Sequence, residues 1–270
     1  MPFRPSLALI ALALVACSSP QEVRQETNAA ANTGVATAFA TATAVRGKAR
    51  TVSEDNDLYQ FKYAYPAAAG GIPALAAHLD AARDKAKATL IAESNDDRAQ
   101  AKANDYPYRP HSFGEEWKVV ADLPGFLSLS GEFYTFSGGA HGMSGLESLV
   151  WDKTAGKALD GVALFASSEA LEAALGPKFC AALNKERAKR RQQAVPQGST
   201  DEFDRCVKVS EGTVLVGSSN ARTFDRLTIY LGPYVAGPYA EGAYELDFPV
   251  DAAVLAAVKP EYRAAFSAKA

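Results

Sequence analysis

The residues with the clearest chemical potential lie in a glycine-rich stretch, FYTFSGGAHGMSG, at positions 133–145. It holds His141, one of three histidines in the chain, among four glycines. A histidine in such a loop is suited to acid–base catalysis or to ligand contact. The glycines equally suit a turn between two strands, because they accept positive φ angles and let backbones approach closely. The imidazole of His141 therefore either anchors a turn by a ring hydrogen bond or faces a ligand.

A second chemically interesting segment, GPYVAGPYAEGAYELDFPV, follows at positions 232–250. Tyrosine side chains supply large contact areas at low entropic cost, as binding surfaces require. Together with His141, the candidate ligand-binding residues are Tyr234, Tyr239, Glu241 and Tyr244. The alternative is a tyrosine-rich turn that packs on the core.

Common catalytic motifs are not found in the sequence. It contains no G-x-S-x-G nucleophile elbow, and GTVLVGSS places Ser218 where a phosphate-binding loop needs lysine. The three histidines are too scattered to form a metal-binding pair, so no catalytic residue, metal or cofactor is expected. Carboxylates are plentiful, but the sequence alone pairs none of them as acid and base; they include Glu115, Glu116, Glu132, Asp152 and Glu241.

The first 48 residues predict export and membrane attachment. Residues 1–16 combine Arg4 with an apolar run, which is typical of a secretory signal peptide. The residues LVAC at positions 14–17 resemble a bacterial lipobox and predict acylation of Cys17, for example with palmitate; secretion of a soluble protein is the alternative. Residues 17–48 lack bulky apolar side chains and are expected to be a flexible tether. We expect a lipoprotein of the outer membrane that faces the periplasm.

The remaining cysteines and charges limit the function classes further. With Cys17 acylated, Cys180 and Cys206 are left to form one disulfide in an oxidising compartment. The net charge of −3 argues against a nucleic-acid partner. The run KERAKRR at positions 185–191 is either an anion-binding patch or a solvated helix end whose cations complement the helix dipole.

Periodicity predicts an α+β fold, an antiparallel sheet with helices packed mainly on one face. Alternating apolar residues predict a strand at 57–65, three strands at 116–152 and three more at 213–250. Apolar residues spaced by three and four from Ile72 to Leu90 predict an amphipathic helix of about five turns. Further helices are predicted after an N-cap at Ser167 or Ser168, from Pro177, and from Ala252.

Three segments carry resemblances to known families. FSGGAHGMSG and the tyrosine-rich segment resemble motifs of the RsiV-like domain, although Gly142 stands where that family usually has proline. LYQFKYAYP with the helix after it is similar to the PdaC-like, deacetylase-associated domain. The resemblances imply a PdaC-like part at 49–110 and an RsiV-like part at 111–268. Neither a sigma-binding segment nor a deacetylase catalytic domain is recognised, so neither activity is expected.

The combined expectation is a lipid-anchored cell-envelope binding protein. The resemblance implies a lysozyme-like protein or peptidoglycan as its ligand. Two alternatives stay open, namely an envelope glycan hydrolase or deacetylase that uses His141, and a structural lipoprotein without a soluble ligand. The sequence does not predict an oligomeric state.

Overall fold

The computed structural model describes residues 47–269, and all of them belong to one compact unit. A six-stranded sheet is its largest element, and the strands are adjacent in chain order. These strands are β1 (Arg50–Asp55), β2 (Tyr59–Tyr65), β3 (His111–Asp122), β4 (Phe126–Phe136), β5 (Met143–Asp152) and β6 (Lys157–Leu159). All pairs are antiparallel except β2 with β3.

The parallel pair results from a helical crossover. Between β2 and β3 lie α1 (Ala67–Gly70) and α2 (Pro73–Ala103), and parallel neighbours need such a long connection. The predicted five-turn helix is the first part of α2, which continues through the polar segment as one helix of 31 residues. Leu75, Leu79 and Leu90 are buried against the aromatic face of the sheet. This face carries alternate residues of β2, as its sequence pattern predicted.

A second, three-stranded antiparallel sheet forms the other part of the core. It consists of β7 (Thr213–Gly217), β8 (Arg226–Leu231) and β9 (Tyr244–Pro249). Three further helices are α3 (Ser168–Leu175), α4 (Pro177–Arg191) and α5 (Ala252–Ala257). Ser167 is the N-cap of α3, and its hydroxyl accepts a hydrogen bond from the Ala170 amide at 3.1 Å. The largest apolar cluster joins these helices to the small sheet.

The predicted α+β class is confirmed, with two sheets where the sequence suggested one. The two sheets meet through buried Val120, Leu146, Leu215 and Tyr230. The hydroxyl of Thr213 also donates a hydrogen bond to the Leu146 carbonyl at 2.8 Å. Local alternation marks a strand but not the sheet that it joins, which explains the difference.

The predicted disulfide between Cys180 and Cys206 is present and links α4 to the loop that leads to β7. The predicted signal peptide, the predicted lipidation site at Cys17 and the predicted tether up to residue 46 lie outside the described residues. Among residues 47–269, no helix has both the length and the apolar character needed to cross a bilayer. In the same part of the chain, no group of three or more His, Cys, Asp or Glu residues is placed to hold a metal ion.

Candidate functional site

The two glycine-rich segments meet in space. The His141 ring, at the tip of the hairpin between β4 and β5, stacks on the Tyr239 ring with centroids 4.0 Å apart. The Tyr234 ring lies 5.5 Å from that of Tyr239, and its hydroxyl lies 3.4 Å from His141 Nε2. Two segments about 100 residues apart in the chain therefore build one aromatic cluster.

The carbonyl of Gly142 holds this cluster together. It accepts a hydrogen bond from the Tyr239 hydroxyl at 3.0 Å, and His141 Nδ1 lies 3.0 Å from the same oxygen. If Nδ1 carries the proton, it donates a hydrogen bond to the carbonyl, and Nε2 can accept a hydrogen bond from the Tyr234 hydroxyl. The imidazole thus both anchors its own turn and supports the tyrosines of the other loop.

The glycines of the hairpin serve backbone geometry. Gly138 and Gly139 adopt positive φ angles of 89° and 78°, which glycine accepts at low cost. Any side chain at Gly142 would collide with the Tyr134 ring, so this glycine allows the ring to pack on the turn. Arg109, in the segment that precedes β3, fixes the tip by donating to the Gly139 carbonyl at 2.6 Å. The expected elbow between two strands is therefore present.

Aromatic side chains are unusually exposed here. We use the name aromatic patch for Tyr134, His141, Tyr234 and Tyr239. Tyr134 and Tyr234 are 45% and 48% exposed, and Met143, two residues after His141 in the chain, is 37% exposed. In the described part of the chain only one other large hydrophobic side chain, Tyr106, is equally open to solvent. The patch thus concentrates surface that is costly to leave in water.

A groove adjoins the segments that carry the patch. It has a volume of about 330 Å³ and lies between the end of the large sheet and the small sheet. Its lining includes Ser144, Thr213, Tyr230 and Pro233. Burial and the charges of Glu245 and Glu132 raise the pKa of Tyr230 to about 12, so its hydroxyl remains a hydrogen-bond donor.

Tyr244 and Glu241, both candidate ligand-binding residues, make contacts within the fold. Tyr244 is fully buried because the alternation of β9 points it to the core side with Leu246 and Phe248, so it is not placed to contact a ligand. Its hydroxyl donates to a Glu241 carboxylate oxygen. Burial opposes ionisation of Glu241, but the hydrogen bonds from Arg191 and Tyr244 keep its pKa below the usual value. These two residues hold the tyrosine-rich loop in place.

Two arginines of the basic run at the end of α4 differ from both expectations, whereas Lys185, Lys189 and Arg190 are exposed as at a solvated helix end. Arg187 is fully buried, and it donates hydrogen bonds to the carbonyls of Ala236 and Arg205, each at 2.9 Å. Arg191 forms ion pairs with Asp204 at 2.5 Å and with Glu241 at 2.7 Å. One helical turn separates the two arginines, so both point inward. The two arginines connect α4 to the loop that carries Cys206 and to the tyrosine-rich segment at 232–250, instead of binding an external anion.

Comparisons with known proteins found similar solved structures and one matching family model. Two solved structures are similar, a member of the DUF3298 family from Bacteroides fragilis NCTC 9343 and a DUF3298 family protein from Pseudomonas aeruginosa PAO1. Their sequence identities are 15% and 16%, with TM-scores of 0.44 and 0.45. The matches cover 76% and 83% of this chain and 92% and 98% of theirs.

No curated protein matches the chain. The RsiV-like resemblance of the C-terminal part and the boundary at residue 110 stay predictions. Residues 52–144, from β1 to the start of β5, match the family model described as Deacetylase PdaC.

Proposed function

We propose that this protein is a binding module of the bacterial cell envelope and that the aromatic patch is its contact surface. The observation that carries the proposal is the exposure of Tyr134 on β4 and of Tyr234 in the tyrosine-rich segment, both of which lie against the hairpin that carries His141. Tyrosine and methionine are enriched at protein interfaces, where a few well-supported aromatic side chains provide most of the affinity. Tyr234 is supported from behind by the rings of Tyr239 and His141.

The proposed ligand is a lysozyme-like protein, with peptidoglycan as the second ligand to be tested. The patch offers exposed tyrosines from two distant segments as one contact surface for a folded partner. Catalysis by His141 has less support. Among the described residues, its ring nitrogens contact a backbone carbonyl and a phenol, and no carboxylate is paired with it.

The expected membrane attachment completes the proposal. Acylation of Cys17 would hold the module near the outer membrane on the periplasmic side, within reach of both ligands. The supporting observation is the sequence LVAC that ends at this cysteine. In bacterial cells, Cys17→Ala should move the protein from the membrane fraction to the soluble fraction; unchanged fractionation would contradict the anchor.

The binding test uses the full chain in detergent with two single variants, Tyr234→Ala and Tyr239→Ala. Calorimetric titration with lysozyme and with soluble peptidoglycan fragments measures each affinity. Removal of an interface tyrosine costs about 1–2 kcal/mol, so each variant should weaken binding by about tenfold. Tyr106→Ala is the matched control, because Tyr106 is 50% exposed and makes none of the contacts of the patch.

The outcomes separate the site from the ligand. Equal affinity in the wild type and both patch variants would remove the patch from the interface. Absence of heat with both ligands in the wild type would overturn their assignment. Thermal melting of each variant checks that it remains folded.

A further inference from the structure

A second site lies on the other face of the large sheet, between the sheet and α2. It is a cleft of about 260 Å³. Two carboxylates reach it from neighbouring parts of the sheet, Glu115 on β3 and Glu147 on β5. Its walls are mixed polar and apolar; the apolar part includes Ala82, Ala158 and Leu159. Two carboxylates thus share a small space with apolar surface.

Glu115 is the unusual member of this pair. Its residue surface is only 8% exposed, and within the described residues its carboxylate has neither a hydrogen-bond donor nor an ion-pair partner. The other buried carboxylate, Asp225, accepts hydrogen bonds from the backbone amide and hydroxyl of Ser219. Buried carboxylates normally have such partners, because desolvation without compensation is costly. The missing donor at Glu115 therefore has to come from outside the protein or from a bound proton.

The surrounding charges favour a cation. Asp160, at the edge of the cleft, adds a third carboxylate, and its charge raises the pKa of Glu147 after the larger effect of burial. Arg83 on α2 is the nearby cation, but its guanidinium is already bound to Asp80 and Asp84. His78 lies at the helix side of the cleft, and Tyr63 on β2 accepts a hydrogen bond from Trp117. In the described part of the chain, none of these elements therefore directs a positive charge at Glu115.

We propose that this cleft binds a primary ammonium group on a short aliphatic stem or a small ring. The ammonium group donates hydrogen bonds to Glu115 and is attracted by Glu147. Its carbon stem packs on the accessible apolar surface of the cleft, at Ala82, Ala158 and Leu159. A metal ion is a poorer fit, because the acidic and histidine side chains of the cleft, Asp160 included, are not grouped closely enough in the described residues to form a set of three ligands.

Binding should be coupled to release of a proton. Burial, and secondarily the charge of Glu147, raise the pKa of Glu115 to about 7, so about half of the molecules carry a proton there at neutral pH. An ammonium ion favours the ionised carboxylate and displaces that proton. The ionised fraction rises about tenfold from about pH 6 to about pH 8, and the affinity should rise by about the same factor.

The test is calorimetric titration of the full chain with n-butylammonium chloride, with 1-butanol as a neutral ligand of similar size. Titrations in two buffers of different ionisation enthalpy should show about half a proton released per ammonium bound near pH 7. Glu115→Gln should weaken ammonium binding by about tenfold or more and abolish the proton release.

Glu116→Gln is the matched control, because Glu116 is the next residue on β3, points to the opposite face and has a side chain that is 52% exposed. It should bind n-butylammonium like the wild type. Three results would each overturn the proposal, namely no binding, equal binding of 1-butanol, or equal losses in the two variants. The aromatic patch is not involved, so Tyr234→Ala should bind the ammonium normally.

Discussion

The carboxyl group of Glu115 should make the stability of the fold depend on pH, and Glu115→Gln should remove that dependence. A pKa of about 7 in the folded protein, against 4.5 for an ordinary glutamate, means that folding favours the protonated form. The favourable contribution is fully present below about pH 4.5 and is lost as the pH rises through about 7. Each pH unit between the two pKa values is worth about 1.4 kcal/mol, which gives about 3 kcal/mol in all.

The glutamine variant removes the titrating group with little change in shape. Its free energy of unfolding should therefore fall less than that of the wild type between about pH 4.5 and about pH 8, by about 3 kcal/mol. Urea unfolding at several pH values, followed by circular dichroism, measures this difference. Because other groups titrate in both proteins, only the difference between the two curves is used.

Two results would refute this reasoning. Parallel stability curves for the wild type and Glu115→Gln would show that Glu115 has an ordinary pKa in the fold. An equal loss of pH dependence in Glu116→Gln would show that the effect is not specific to the cleft, since Glu116 lies on the exposed face of the same strand.

Two further predictions concern stability. Replacement of both Cys180 and Cys206 by serine should lower the free energy of unfolding by about 3 kcal/mol, the chain-entropy value for the 26-residue separation; urea unfolding with and without reductant measures it, and a loss below about 1 kcal/mol would contradict the entropic argument. Gly131→Ala should cost about 1–3 kcal/mol, because the new methyl group would lie 2.9 Å from the Trp117 ring. Thermal melting checks this against Gly114→Ala, whose methyl group meets nothing within 4 Å; similar melting temperatures for the two variants would contradict it.

Local patterns in the sequence predict most elements of the fold but not their arrangement. The N-cap at Ser167 follows from side-chain chemistry within one turn, and the strand β2 follows from its alternating aromatics. The parallel pairing of β2 with β3 depends on how α2 crosses the sheet, which no window of sequence contains. The division into two sheets is also decided by packing between distant strands.

The candidate sites follow the same division. The tyrosines and His141 are recognisable by type, but their contact depends on two loops that only the folded chain brings together. The burial of Tyr244 can be predicted from the alternation of YELDFP, in which Leu246 and Phe248 share its face. The burial of Arg187 cannot be predicted in this way, because arginine is almost never fully buried without specific partners. One of its partners is the amide oxygen of Asn184, but the others are backbone carbonyls, which leave no mark in the sequence.

The two roles considered for His141 are compatible in the folded protein. One ring nitrogen lies against the Gly142 carbonyl, while the ring face supports Tyr239 and the other nitrogen meets the Tyr234 hydroxyl. Because Gly142 has no side chain, the Tyr134 ring can pack directly on the same turn. Anchoring the turn is therefore what fixes the exposed tyrosines, and a rigid aromatic surface loses little entropy when it binds. On this reasoning, His141 contributes to recognition through the positions of Tyr234 and Tyr239, and a ligand need not touch the imidazole at all.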